Sequence, residues 1–413
     1  MKKRRDWLTL ALAAGVSAGL LRSLVLTIST GNEPWIYRRL RLDGPSYIKG
    51  MEAVAQLGPL AALQDPLHSV GYQVYVGLLD RAVGPTRVFR AVKLLSWALG
   101  ALCVAILVRV GNGWAPRAGW TAGLLLAWSH KWLVYTNVLD YATLAAALLT
   151  GALFCLSVSV SGERERWAGR AGAAALLLAA CVVHFRFLPC WAAGAAAAYA
   201  LEARGRGRNP RAVLALHAAL LALTVPFAAR AWNSRSAGYD AAPSFLLSRL
   251  VRMANNPAAV GVPLVGEDAK DLEGVPRPEK LIEPSGLAFA VRRPFGFAAL
   301  TAVRFLYIWD IRRDFWTAYG PLLYRPWRHP LPVALLNLCL FALYLGGAVL
   351  LASKGAAPER LFALVLVPAA LAAPLLTFGS SRYLLPVLPC VALLQGYGIA
   401  EAARVLSAAA RKS

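Results

Sequence analysis

Asp43 opens a polar stretch, DGPSYIKGMEAVAQLGPLAALQDPLHSVGY (residues 43–72), that stands between strongly apolar runs. It combines a carboxylate, the nearby aromatic residues Trp35, Tyr37 and Tyr47, and a histidine, His68, shortly before Tyr72. A carboxylate at the mouth of a membrane-facing cavity can take a proton from a hydroxyl as a general base. The plainer reading makes Asp43 a solvated loop residue or a cap for the helix that Pro45 starts. Three further stretches carry chemistry of the same kind. Asp140 sits in the short turn TNVLDY, His184 and Arg186 interrupt a long apolar run as HFRFLP, and Arg382-Tyr383 precede the last one. An arginine fork binds phosphate oxygens in pairs. Each again has a bland alternative: Asp140 as a helix cap, His68 as an interfacial histidine, Arg382 as a snorkelling cation. Ionisable groups near a membrane are costly, so their gathering on one face favours function over any single bland reading.

The composition decides what kind of chain must position them. Of 413 residues, 58% are hydrophobic and 16% charged, against about 25% charged in a soluble protein. Apolar runs long enough to span a bilayer recur from end to end, which makes this an all-α polytopic membrane protein. The net charge of +23 would point to nucleic acid in a soluble protein. Here most of the excess lies in short arginine-rich loops between apolar runs, the positive-inside pattern, and no basic face is interleaved with aromatics as nucleic acid requires. All six cysteines lie inside apolar runs and far apart in sequence, an arrangement that argues against disulfides and against a cysteine metal site. The opening MKKRR and the apolar run behind it read as a retained anchor, because the run is long, carries Arg22 and lacks a small-residue cleavage site.

The loop charges predict an order of crossings. Lys2, Lys3, Arg4 and Arg5 place the N-terminus in the cytoplasm, and the first crossing runs over about residues 7–28. Residues 29–90 then form a first external loop, with Ile48, Met51, Val54, Ala55 and Leu57 at helical spacing, as in an amphipathic surface helix. The run 70–83 is too short to span and carries Asp80 and Arg81, which reads as an interfacial or re-entrant helix. Crossings follow near 92–108, 118–135 and 142–160, then a pair within 171–201 split by HFRFLP, and one near 212–229. Three regions result: an N-terminal membrane module (1–230), an external loop with an interfacial or re-entrant segment (231–330), and C-terminal membrane helices (331–413). Arg404, Arg411, Lys412, Lys354 and Arg360 mark the cytoplasmic side of the last part, so the crossings number about ten, or eleven if residues 295–311 also cross. This topology puts Asp43, Asp140 and Arg382 on one external face.

Taken in order, the external Asp after the first span, HSVGY leading into an amphipathic helix, LVYTNVLDYATLAAALL, HFRFLP, VPFAARAWNSRSAGYD and SRYLLPVLPCVALLQGYGIA resemble the C-type-fold membrane glycosyltransferases. The closest branch is the protein O-mannosyltransferase and lipid A aminoarabinose transferase group. The ordered set covers nearly the whole chain, although no single motif is strong. The resemblance implies a bacterial inner-membrane enzyme that takes a sugar from a polyprenyl-phosphate donor and transfers it to a lipid, glycan or protein acceptor on the periplasmic face. It assigns Asp43 as the catalytic base, Asp140 as a substrate-positioning acid and Arg382 as a partner of the donor phosphate. His68, Tyr47, Tyr72, Arg186 and Tyr383 complete the expected substrate-binding set. The chain departs from the family where Asp43-Gly44 replaces Asp-Glu and His68-Ser69-Val70 replaces His-Pro-Pro, which leaves the acceptor and the use of a divalent cation open.

The residue types suit that chemistry. Glycosyl transfer passes through an oxocarbenium-like state and needs a carboxylate to deprotonate the acceptor. A phosphate leaving group needs cations in place of a glycosidase's acid. The basic and aromatic cluster Arg312, Arg313, Trp316, Tyr319, Tyr324, Arg325, Trp327 and Arg328 suits lipid headgroups or the donor, and equally an ordinary interfacial belt. The rival classes are a lipid-linked saccharide transporter or flippase, for which Arg22, Arg186 and Arg304 would line a path, and a polysaccharide polymerase or ligase using a diphosphate donor.

Overall fold

The computed structural model describes residues 7–29, 44–64, 70–159, 163–204, 209–233, 287–309, 330–354, 357–376 and 381–410. Asp43, His68, most of the 231–330 loop and the 312–328 cluster lie outside the described residues. What is described is helical: α1 (Trp7–Ser29), α2 (Gly44–Leu57), α3 (Val70–Val83), α4 (Val88–Trp114), α5 (Ala118–Trp128), α6 (His130–Tyr135), α7 (Ala142–Val158), α8 (Glu163–Val183), α9 (Leu188–Ala203), α10 (Pro210–Asn233), α11 (Leu287–Arg292), α12 (Pro294–Trp309), α13 (Pro330–Ser353), α14 (Pro358–Leu376) and α15 (Leu388–Ala409). Three 3₁₀ turns join or precede them, at Pro59–Gln64, Phe185–Phe187 and Ser381–Val387.

Among the described residues, six helical stretches are long and apolar enough to cross a membrane: Trp7–Ser29, Val88–Trp114, Arg166–Val183, Leu335–Ser353, Pro358–Leu376 and Arg382–Ala409. The chain is therefore a multi-pass helical membrane protein. Among the described residues, the apolar helices Ala118–Trp128, Ala142–Val158 and Pro294–Leu306 fall short of that length. The expected crossing over 118–135 is one of these, because its apolar run is broken. Ser129 leaves helical geometry (φ −58°, ψ 122°), and its side chain accepts the Trp132 N–H to start α6 as a new helix. The 11 residues of α5 reach only about 16 Å at 1.5 Å each, about half a hydrocarbon core.

The first-loop helices form as their periodicity predicts. Met51 and Val54 of α2 are buried while Leu57 at its end is exposed. α3 packs against α2 through Gly77, where a side chain would collide with Val54 and the Met51 carbonyl. Glycine recurs at the tightest helix contacts of the bundle, as expected where lipid gives no hydrophobic drive and close backbone approach must hold helices together. Gly111 of α4 abuts Gly119 of α5, and Gly396 of α15 abuts the Ala118 carbonyl. In contrast, α13 buries little besides the face it turns to α15 and leaves Leu335, Leu336, Leu338, Leu345 and Val349 outward, the surface a lipid-facing helix presents.

Candidate functional site

α7 and α8 form an antiparallel hairpin whose register is set by small residues. A side chain at Gly169 would meet the Cys155 carbonyl, and one at Gly151 would meet Leu176. That register brings the start of α7 level with the end of α8. The Tyr141 ring, one residue before α7, consequently lies 4.9 Å from the ring of His184, one residue after α8.

Each side of this junction is tied down locally. In TNVLDY the polar side chains bond backward or forward along the chain. The Thr136 hydroxyl and the Asn137 amide both donate to the Leu133 carbonyl, and the Thr143 hydroxyl donates to the Tyr135 carbonyl. Asp140 Oδ1 accepts the N–H of Ala142, the first residue of α7, at 2.7 Å. The residue is 2% exposed, because the turn packs inside the bundle. On the other side, His184 Nδ1 accepts the Arg186 backbone N–H at 3.2 Å and holds the short Phe185–Phe187 turn from which Arg186 projects.

Arg186 is the centre of the cluster. Its guanidinium carbon lies 5.0 Å from the Tyr141 ring centroid, 4.8 Å from Phe187 and 4.7 Å from Tyr383. The residue is buried, and its Nε and both Nη atoms have no hydrogen-bond partner among the described residues. Arg382 lies over the same Tyr383 ring at 5.3 Å. Both come from the Ser381–Val387 turn, which packs against α6, α7, α12 and α14. Burial pushes the Tyr141 hydroxyl above its ordinary titration range; Arg186 and then Arg382 pull it back down, while Asp140 and Tyr383 push it up. Two cations, one carboxylate and two tyrosine hydroxyls thus act on one another at this junction.

The first loop reaches the same junction. Gly71, at the start of α3, touches the backbone of Val182 and Val183, and a side chain there would stand 2.8 Å from it. The start of α3 is thereby delivered beside the end of α8. Tyr72 is buried and its ring lies 5.9 Å from that of Tyr75, inside the α3 packing. Of Tyr47 only the helical backbone is described. Of the expected site residues, then, Asp140, Arg186, Arg382 and Tyr383 come together, Tyr72 stands on the helix that docks beside them, and Asp43 and His68 lie outside the described residues. Tyr141 and His184 are site residues that residue-by-residue reading left out, although both adjoin residues it chose. Lys131 is another: it is buried, and its Nζ donates to the Ile308 carbonyl at the end of α12. The polar triplet Ser129-His130-Lys131 inside an otherwise apolar run was the signal for it.

For a divalent cation the described residues offer little. Among them no group of three or more His, Cys, Asp or Glu side chains is close enough to hold one, and the two arginines beside Asp140 favour an anion instead. No protein family model, curated protein or solved structure matches this chain.

Proposed function

We propose that this chain is an integral-membrane glycosyltransferase that takes a sugar from a polyprenyl-phosphate donor and passes it to a lipid, glycan or protein hydroxyl at the outer face of a bacterial inner membrane. The observation that carries the reading is Arg186, a buried guanidinium caged by three aromatic rings whose nitrogens have no partner among the described residues. A buried cation whose donors go unsatisfied is strongly unfavourable, and an entering anion offsets that cost. Inside a bilayer the anion at hand is a lipid phosphate. Tyr141 and Tyr383 add the flat faces and hydroxyls on which a sugar rests.

In this reading the chain crosses the membrane about ten times, with both termini in the cytoplasm and the Arg186 cluster at the outer face. Arg186 and Arg382 hold the donor phosphate and stabilise the charge that develops on it as the glycosidic bond breaks. Asp140 fixes the start of α7 and orients Tyr141 toward the sugar. Asp43 takes the acceptor proton, while Tyr47, His68 and Tyr72 shape the acceptor side. The polyprenyl phosphate leaves with its oxygen charge paired to arginine, so no acid is needed.

The test is to incubate purified protein with a panel of polyprenyl-phosphate sugars and an acceptor-containing membrane extract, and to measure free polyprenyl phosphate. Release by the wild type and its loss in Arg186→Gln is the expected result. Movement of the intact donor across vesicles without release would overturn the transferase reading in favour of transport.

A further inference from the structure

His184 has a role beyond lining the cluster. Its Nδ1 accepts the Arg186 backbone N–H at 3.2 Å, a side chain bonding the backbone two residues on in the manner of an Asx turn. That bond adds to the Phe187 N–H bond to the His184 carbonyl at 3.1 Å in closing the Phe185–Phe187 turn, and the turn sets where the Arg186 side chain emerges. The imidazole is itself clamped, its ring 4.9 Å from Tyr141 and 6.3 Å, edge-on, from Phe187. Tyr141 and Phe187 are also two of the three rings of the Arg186 cage. One histidine therefore fixes both the backbone that launches Arg186 and the walls that receive it.

We propose that His184 is a positioning residue for Arg186, holding it in the aromatic cage only while its Nδ1 is unprotonated. A protonated imidazole carries N–H at both nitrogens and cannot accept the Arg186 N–H. Imidazole is also the side chain whose charge changes near physiological pH. Among the described residues, Tyr141 lies against the imidazole, that tyrosine is acted on by Asp140, Arg186, Arg382 and Tyr383, and Cys190 of α9 is acted on by Arg186. A positive charge on His184 adds a third to those of Arg186 and Arg382. The sign follows: acid opens the turn, and base closes it. The consequence for ligand rests on the reading of the cluster as a lipid-phosphate site.

The test uses the full-length protein in detergent micelles and two readouts. The first needs no ligand: the hydrogen-exchange protection factor of the Arg186 amide, which corrects for the pH dependence of intrinsic exchange. Between about pH 8 and pH 5.5, a window that brackets the ordinary imidazole range, it should fall at least tenfold in the wild type. In His184→Asn it should stay flat, because the Asn Oδ1 accepts the same bond without titrating. His184→Leu should be unprotected at both. The second readout is binding of farnesyl methyl phosphate, a diester whose single charge is constant over this range. Its affinity should follow the protection factor in all three proteins. An Arg186 amide whose protection falls equally in the wild type and His184→Asn, or is absent at both pH values in the wild type, overturns the proposal. Protection that behaves as expected with no phosphodiester binding by any of the three leaves the positioning role standing and removes the lipid-phosphate reading instead. Should His184→Leu not fold, the Asn variant carries the decision alone.

Discussion

The guanidinium carbons of Arg186 and Arg382 lie 4.7 and 5.3 Å from the centroid of one ring, that of Tyr383. They are far apart in sequence, and the packing of the Ser381–Val387 turn against α7 brings them to the same aromatic face. A structural purpose for such a pair is weak. Each cation–π contact gives about 0.5–2 kcal/mol, against the mutual repulsion of the two cations and the desolvation of a buried Arg186.

Arg186→Met separates the two purposes. Methionine fills the cage and makes favourable sulfur–aromatic contacts, and it removes a buried guanidinium whose donors have no hydrogen-bond partner among the described residues. The thermal midpoint should hold or rise, while affinity for a lipid phosphate falls at least tenfold, about 1.4 kcal/mol. Arg382→Lys should also weaken lipid-phosphate binding more than folding, since lysine keeps the charge and loses the planar fork. A midpoint that drops sharply in Arg186→Met, with binding kept, returns the cluster to a purely structural role.

At the other end of the α8–α9 pair a buried charge does have its partner. Arg170 and Glu202, both 1% exposed, form a direct ion pair, Arg166 lies 3.8 Å from the same carboxylate, and the Asn209 N–H donates to Glu202 Oε1 at 3.1 Å. Removing one member leaves the other charged and dry. Glu202→Gln should therefore destabilise by about 3–5 kcal/mol, whereas the double change Arg170→Met with Glu202→Leu should recover much of the loss. Denaturation midpoints of the three proteins check this, and a mild Glu202→Gln phenotype would mean that water reaches the pair.

Orientation is open to direct measurement. In a cysteine-free background, Cys placed at Glu52, exposed on α2, should react with an impermeant maleimide on intact cells. Cys at Ser353, exposed at the end of α13, should react only after permeabilisation. Labelling of both from outside would break the shared external face on which the transferase reading depends.

How much of this was legible beforehand varied with the physics involved. The amphipathic α2 showed in the spacing of Met51 and Val54, and the α8–α9 break showed in HFRFLP, because both are set by local pattern. The division of residues 118–135 did not show. A single Ser129 accepting one N–H hardly changes an averaged hydropathy. The meeting of Tyr141, His184 and Arg186 was hidden for a different reason. It depends on the register of α7 against α8, which Gly151 and Gly169 set by what they lack, and no charge or motif marks that. Asp140 was legible as an acid at the right place, but its burial was not, since TNVLDY is polar by composition and satisfied by its own backbone.

Two carboxylates remain to be told apart, and the isosteric amide does so. Asp140 Oδ1 accepts the Ala142 N–H, a task an asparagine oxygen performs nearly as well. Asp140→Asn should fold normally and lose only the negative charge beside Tyr141, Arg186 and Arg382, with a modest effect on turnover. Asp43 directly precedes α2 in sequence, and there too an Asn keeps any capping bond. If Asp43 is the base, however, its amide cannot take the acceptor proton, and turnover should fall by about a hundredfold or more. Donor affinity should hardly move, because the missing interaction belongs to the transition state and not to the bound complex. The comparison is turnover and donor affinity for the two variants at matched thermal midpoints. Wild-type turnover in Asp43→Asn, together with a large loss in Asp140→Asn, would move the proton transfer from the first loop to the buried junction.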